Sequence, residues 1–82
     1  MQYKNKNPQK YRVQYKKLRH LLLDRNMLKK DLEVAAGITH YQMYKLANDL
    51  DLTTDVIAAI CAALDVGPND IMEFVPVPNE EE

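Results

Sequence analysis

Apolar residues recur along this chain at the spacing of helix faces, with glycine, proline and capping residues between the apolar groups. The first predicted helix covers residues 14–26, where one face carries Leu18, Leu21, Leu22 and the aliphatic stem of Arg25. A second helix is predicted over residues 29–36. It ends at Gly37, because glycine tolerates the left-handed backbone that helix ends often require.

The third and fourth predicted helices each begin at a threonine. Thr39 is followed three residues later by Gln42, which is the spacing of a capping box, where each side chain bonds a backbone N–H at the helix start. This third helix is predicted to run to about Asn48. Thr53 is the predicted cap of a fourth helix over residues 54–64.

A short fifth helix is predicted after Gly67, because Pro68 is tolerated in a first helical turn, where no N–H is needed. The predicted fold class is therefore all-α, with five helices. A brief strand pairing between Tyr11–Tyr15 and Glu73–Val75 is a further possibility. The predicted boundaries are a flexible basic leader over 1–13, a helical domain over 14–76 and a disordered acidic tail over 77–82.

Charge is divided unevenly along the chain, although the net charge is only −1. Residues 1–30 hold ten Lys and Arg residues and one acid, a net charge of +9, whereas residues 31–82 hold one Lys and eleven acids, a net charge of −10. Such a division indicates either a nucleic-acid-binding arm beside an acidic body or two halves that attract each other.

Several classes of protein are excluded by composition. The single cysteine, Cys61, forms no internal disulfide and, with two separated histidines, no zinc site, so we interpret it as a small buried hydrophobe. The longest apolar run, Val56–Leu64, is about half of the ~20 residues that span a bilayer, which favours a cytoplasmic protein that does not enter a membrane. His40 has no accompanying nucleophile, paired carboxylates or phosphate loop, so neither an enzyme nor a cofactor is predicted.

The segment KKDLEVAAGITHYQMYKL places two short helices around a glycine-centred turn, the helix-turn-helix arrangement. Apolar residues occupy the five positions that hold the second helix across the first: Leu32, Ala36, Ile38, Met43 and Leu46. From about Tyr15 to Val75 the chain resembles the phage-repressor and Cro-like regulators, especially their short single-domain bacterial members. The resemblance implies a five-helix, repressor-like helix-turn-helix domain.

In that family the first helix of the motif crosses the DNA backbone and the second lies in the major groove. The resemblance therefore implies a sequence-specific DNA-binding transcriptional regulator. The implied DNA contacts are Lys29, Lys30, Thr39, His40, Tyr41, Gln42, Tyr44 and Lys45. Lys29 and Lys30 would meet phosphate, Gln42 would pair with adenine and Lys45 would reach guanine.

Three departures from the family pattern favour another function. Leu28 stands where a Ser or Thr cap is usual, and Glu33 stands where a small residue is usual, so its carboxylate needs solvent or a partner. The fourth helix is apolar from Val56 through Leu64, with an inward stripe of Ile57, Ile60, Cys61 and Leu64 and alanines on or near its outward side. A partner docked on those alanines would explain the pattern.

The charge near the third helix also argues against DNA. Past Lys30 the only basic residue is Lys45, whereas Asp49 and Asp51 would bring negative charge towards phosphate. Against this, the basic residues of the first helix could supply backbone contacts: Lys16, Lys17 and Arg19.

The preferred interpretation is a protein-binding module, an engineered binder on a helix-turn-helix scaffold whose DNA binding is lost; the DNA-binding regulator is the alternative. Tyrosines and small residues with little charge are typical of protein interfaces. The predicted contact surface is His40, Tyr41, Tyr44, Ala47, Leu50, Ala58, Ala59 and Ala62. Binding through it is predicted to vary between about pH 5 and 8 through His40. A homodimer through the same face is a third outcome.

Overall fold

The computed structural model describes residues 10–77, which form four α-helices, a three-residue 3₁₀ turn and a two-stranded antiparallel sheet. In chain order the elements are β1 (Lys10–Gln14), α1 (Lys16–Asp24), α2 (Lys29–Ala36), α3 (His40–Ala47), α4 (Thr54–Leu64), the 3₁₀ turn (Pro68–Asp70) and β2 (Glu73–Val77). The predicted bounds of α2 and α4 are confirmed, and α3 lies between the predicted end residues Thr39 and Asn48.

The prediction of an all-α fold with five helices needs two corrections. The fifth helix is a 3₁₀ turn of three residues, and the two ends of the described chain pair as a sheet. The pairing runs from Lys10 opposite Val77 to Gln14 opposite Glu73, so the predicted strand contact is confirmed and is longer than expected at β2. The helical helix-turn-helix scaffold itself is confirmed.

The first helix was predicted too long at both ends. Gln14 belongs to β1, and the N–H of Tyr15 donates to Asp49 Oδ1 at 2.8 Å. At the other end Asn26 takes a left-handed φ of 56°, which stops the helix. The leader and tail boundaries also move, because Lys10–Val13 and Val77 lie in strands, while residues 1–9 and 78–82 lie outside the described residues.

One apolar core holds the described chain together. Its buried members are Val13, Tyr15, Leu18, Leu22, Leu32, Ile38, Met43, Leu46, Val56, Ile57, Ile60, Leu64 and Ile71. The inward stripe predicted for α4 is confirmed at Ile57, Ile60 and Leu64. Cys61 was predicted to be buried but is only half-buried, because it lies at the edge of that stripe and packs against the core from outside.

The turn between α2 and α3 is fixed by backbone geometry and caps. Gly37 has a left-handed φ of 68°, and Ile38 N–H donates to the Glu33 carbonyl at 3.1 Å. The predicted capping box of α3 is present: Gln42 N–H donates to Thr39 Oγ1 at 3.0 Å, and Thr39 N–H donates to Gln42 Oε1 at 2.9 Å. Because Ile38 is buried, the turn is also fastened to the core.

Replacing Gly37 with alanine should destabilise the fold by about 1 kcal/mol, because an L side chain is strained in the left-handed region. A Cβ at this position would meet nothing within 4 Å, so the cost comes from the backbone alone. Gly37→Asn is the matched variant, since asparagine tolerates this conformation. Urea unfolding measures both free energies. We expect asparagine to be the milder change, and equal losses for the two variants would contradict a backbone origin.

Candidate nucleic-acid interface

The third helix, α3, has one side in the core and the other in solvent. Met43 and Leu46 are buried, as predicted for residues that hold this helix across α2. His40, Tyr41 and Tyr44 are exposed on the other side. The candidate contact residues of α3 are thus available to a partner while its apolar residues hold the helix in place.

The two tyrosines of α3 form an ordered aromatic surface. Their rings are stacked, with centroids 6.1 Å apart and planes at 11°, as their three-residue spacing on a helix allows. The Lys45 ammonium lies 5.1 Å from the Tyr41 ring centroid, within cation–π range. Tyr41 is 62% exposed and Tyr44 is 53% exposed, so this large aromatic area faces solvent in the monomer.

The carboxylate of Glu33 has a partner on the recognition side of the motif. Its Oε2 lies 3.1 Å from Nδ1 of His40, the first residue of α3. The Glu33 side chain is 20% exposed and that of His40 is 91% exposed, so the carboxylate is the more buried member of the pair. Glu33 therefore links α2 to the start of α3.

Asp49, which was predicted to bring negative charge towards phosphate, has its carboxylate paired with Arg19. Its Oδ1 accepts from Arg19 Nη1 at 3.0 Å and from Tyr15 N–H at 2.8 Å. The same guanidinium nitrogen donates to the Leu46 carbonyl at 3.0 Å, so Arg19 also satisfies the C-terminal end of α3. The Arg19 guanidinium therefore bonds groups inside the fold, and the Arg19–Asp49 pair connects α1 to the C-terminal end of α3.

The electrostatics of this junction shift two acid–base equilibria. Burial acts to raise the pKa of Asp49, but hydrogen bonds from Arg19 and Tyr15, with the charges of Arg19 and Arg12, outweigh it and lower that pKa. Burial, followed by the charges of Asp51 and Asp49, raises the pKa of the Tyr15 phenol to about 12. Tyr15 therefore stays protonated at neutral pH and donates to the Leu50 carbonyl at 2.9 Å.

The start of α2 presents two lysines to solvent. Lys29 and Lys30 are exposed in its first turn, where the family places backbone contacts. Leu28 provides no side-chain cap, but its N–H donates to Asp31 Oδ2 at 2.8 Å. The carboxylate of Asp31 thus replaces part of the missing cap, since an acid in the first turn also suits the helix dipole.

A groove between α3 and the start of α4 includes residues that sequence reasoning did not place at the site. It has a volume of about 510 Å³ and is lined by Thr39, Tyr41, Gln42, Lys45, Asp51, Leu52, Thr53 and Val56. Thr53 was recognised only as a helix cap. Its hydroxyl bonds Asp55, and this bond lowers the pKa of that exposed carboxyl. No local sequence signal brings the start of α4 beside α3, because that proximity depends on the tertiary fold.

The residues predicted to form one protein-binding surface line two adjoining grooves. Ala58 lies in a second, apolar groove of about 390 Å³, whereas Tyr41 lines the groove beside α3, and the two grooves share Asp51 and Leu52. Of the other members, Leu50 and Ala62 are exposed, while Ala47 and Ala59 are half-buried. The structure therefore keeps the tyrosine pair together and places Ala58 in the neighbouring groove.

The described residues form neither a metal-ligand cluster nor a membrane-spanning helix. Between Lys10 and Val77 no three His, Cys, Asp or Glu side chains cluster as metal ligands would. Within the same range, every helix is too short or too polar to cross a bilayer.

Comparison with known proteins decides the family. Residues 17–77 match the family of Cro/C1-type HTH DNA-binding domains. The chain belongs to this family. The crystal structure of the transcriptional regulator VanUg is similar in sequence and fold, with 36% identity and a TM-score of 0.80 over 92% of this chain and 100% of that chain. Comparison with curated proteins finds no match.

These findings confirm the family resemblance. They also reverse the order of the two functional interpretations, because they support the DNA-binding regulator better than the protein-binding module. A Cro/C1-type domain with a regulator as a structural neighbour supports the DNA-binding alternative. Neither comparison supports the preferred interpretation, an engineered protein-binding module. That interpretation depended partly on Asp49 as an exposed negative charge, but in this Cro/C1-type domain Asp49 is paired with Arg19.

Asp49→Asn should destabilise this Cro/C1-type domain by roughly 1 kcal/mol at pH 7, because asparagine keeps an acceptor oxygen but loses the charge that faces Arg19. The folded-state pKa of Asp49 is lowered, so its stabilising contribution is present above the unfolded value of about 4 and is lost as the pH falls below it. Urea unfolding at several pH values should therefore show the difference between wild type and variant shrinking below about pH 4.

The matched control for that measurement is Asp65→Asn. Asp65 is exposed and also has a left-handed φ of 58°, close to the 57° of Asp49, so the same substitution is made in the same backbone conformation. It should change the free energy of unfolding by less than Asp49→Asn does. A loss for Asp49→Asn that does not vary with pH would show that the charge of Asp49 is not the cause.

Proposed function

We propose that this protein is a sequence-specific transcriptional regulator that inserts α3 into the major groove and sets the start of α2 against the DNA backbone. The observation that carries the proposal is the two-sided placement of α3. Its core side is held by Met43, Leu46 and the Arg19 bond to the Leu46 carbonyl, while His40 and Tyr41 extend into solvent from its first turn. A helix held in this way meets base edges with its N-terminal residues.

The exposed charges support a modest contribution of phosphate contacts to DNA affinity. Lys29 and Lys30 are exposed at the start of α2, and Lys45 lies beside Tyr41 on α3. Two acids that seemed to oppose DNA have partners within the fold, since Asp49 bonds Arg19 and Glu33 faces His40. Asp51 and Asp55 remain exposed near the groove beside α3, so binding should depend on base contacts as well as on phosphate.

The first test is the salt dependence of DNA binding. Each neutralised phosphate adds about −0.9 to the slope of log affinity against log salt, so the two lysines assigned to phosphate, Lys29 and Lys30, predict a slope of about −2 per protomer. Fluorescence anisotropy with a labelled duplex at several salt concentrations measures that slope. The double variant Lys29→Gln, Lys30→Gln should weaken binding at low salt and bring the slope close to zero.

Lys17→Gln is the control, because it makes the same substitution on another helix, although it removes one lysine charge where the double variant removes two. Lys17 Nζ donates to the Asn69 carbonyl at 3.1 Å and lies 3.8 Å from Glu73 Oε1, so it is held near β2. Its removal should leave the slope unchanged. Absence of any salt-sensitive association at low salt would contradict the proposed function, and an equal effect of Lys17→Gln would contradict the assignment of Lys29 and Lys30.

The sequence also predicted partners other than DNA. A protein partner on the Tyr and Ala surface stays a prediction, since Tyr41 and Ala58 line grooves that adjoin at Asp51 and Leu52. A homodimer stays a prediction, and a two-fold arrangement would present two copies of α3 to successive turns of the major groove. The pH dependence predicted through His40 also stays a prediction.

A further inference from the structure

The capping box of α3 changes what its first turn offers to a base. Gln42 Oε1 accepts the Thr39 N–H at 2.9 Å, so the amide oxygen points back to the helix start and its NH₂ group remains to donate outward. A bidentate contact with adenine needs that oxygen and that NH₂ group together. The structure therefore disfavours the adenine pairing that the resemblance implies for Gln42.

The polar groups around Gln42 are also rich in donors. Lys45 carries an ammonium that can only donate, and it is held beside Tyr41. His40 adds no donor when its ring is neutral, because the Glu33 carboxylate only accepts, so Nδ1 donates to it at 3.1 Å and Nε2 is left as an acceptor. In the major groove, guanine offers two acceptors, O6 and N7, whereas cytosine offers an amino donor that needs an acceptor. At Gln42 and Lys45 the exposed side of α3 therefore matches guanine better than cytosine.

The stacked rings of Tyr41 and Tyr44 add an apolar surface that can contact a base in the major groove. Tyr41 and Tyr44 are stacked at 6.1 Å and remain more than half exposed, so aromatic carbon would meet the groove wherever α3 enters it. The C5-methyl of thymine is the one apolar group that the unmodified bases display there. The two rings stack on each other and the ammonium of Lys45 flanks Tyr41 in the structure without DNA.

We propose that α3 recognises a half-site in which thymine methyl groups lie against the Tyr41–Tyr44 pair and a guanine lies beside Lys45. This inference rests on the proposed function, because it specifies which bases the same helix contacts. In this inference the rings of Tyr41 and Tyr44 determine which base is preferred. Gln42 becomes a capping residue that also donates to a base acceptor.

The test begins with selection of bound duplexes from a random pool by the full chain at low salt. The selected half-site should contain thymine and guanine at fixed positions. Each thymine is then replaced by deoxyuridine, which removes the methyl group and keeps the pairing edge. Affinity should fall about fourfold for each methyl group that the rings cover.

Two pairs of variants assign that loss to the tyrosines. Tyr41→Ala and Tyr44→Ala should bind thymine and deoxyuridine duplexes equally at the position that each ring covers. Tyr41→Phe and Tyr44→Phe keep the rings and should keep the fourfold preference. Circular dichroism and urea unfolding confirm that all four variants are folded, as expected for exposed side chains.

The outcomes separate the inference from the function on which it rests. A selected site that contains no thymine, or one at which deoxyuridine binds as tightly as thymine, overturns the inference and leaves the DNA-binding function intact. A pool that yields no preferred sequence overturns sequence-specific binding, and the inference falls with it. A preference for thymine that survives both alanine variants overturns the role of the two rings.

Discussion

The junction of Arg19 with Asp49 is the contact on which the position of α3 depends. One carboxylate oxygen receives both the Arg19 guanidinium and the N–H of Tyr15, while that guanidinium also binds the carbonyl of Leu46. The end of β1, the first turn of α1 and the last turn of α3 therefore meet at one half-buried ion pair. Because Asp49 takes a left-handed backbone, it turns the chain at the same point.

Part of the uneven charge of the chain is used inside the fold, where Arg19 pairs with Asp49 and Lys17 lies near Glu73. Arg19 binds the end of α3, and Arg25 Nη1 donates to the Leu64 carbonyl at the end of α4 at 2.8 Å. Lysine and arginine are favourable at helix C-termini because they meet the negative end of the dipole. Of the two interpretations of the charge division, attraction between the halves is thus realised in the fold, and fewer cations remain for phosphate.

The features that were predicted correctly are those with local causes. The Thr39 and Gln42 cap, the stop at Gly37 and the buried positions Met43 and Leu46 all depend on neighbours within a few residues, so spacing alone reveals them. The strand pairing was foreseen only as a possibility, since its two strands lie at opposite ends of the described chain.

The features that were missed depend on long-range contacts. Asp49 meets partners that precede it by 30 and 34 residues, and composition shows its charge but not its orientation. For the same reason the sequence did not show that Tyr41 and Ala58 line two adjoining grooves, which share Asp51 and Leu52. Counting charges near a helix therefore overstated the exposed negative charge beside α3, because the half-buried Asp49 and the exposed Asp51 were counted alike.

The most direct measurement is a titration of the ¹⁵N-labelled chain with a short DNA duplex at low salt, followed by the chemical shifts of its backbone amides. If α3 and the start of α2 form the DNA-binding surface, the largest changes will fall at Lys29, Lys30 and residues 39–45. The amides of Ala58 and Phe74 will change little. Changes centred on Ala58 and Phe74, or none at saturating DNA, would contradict this account.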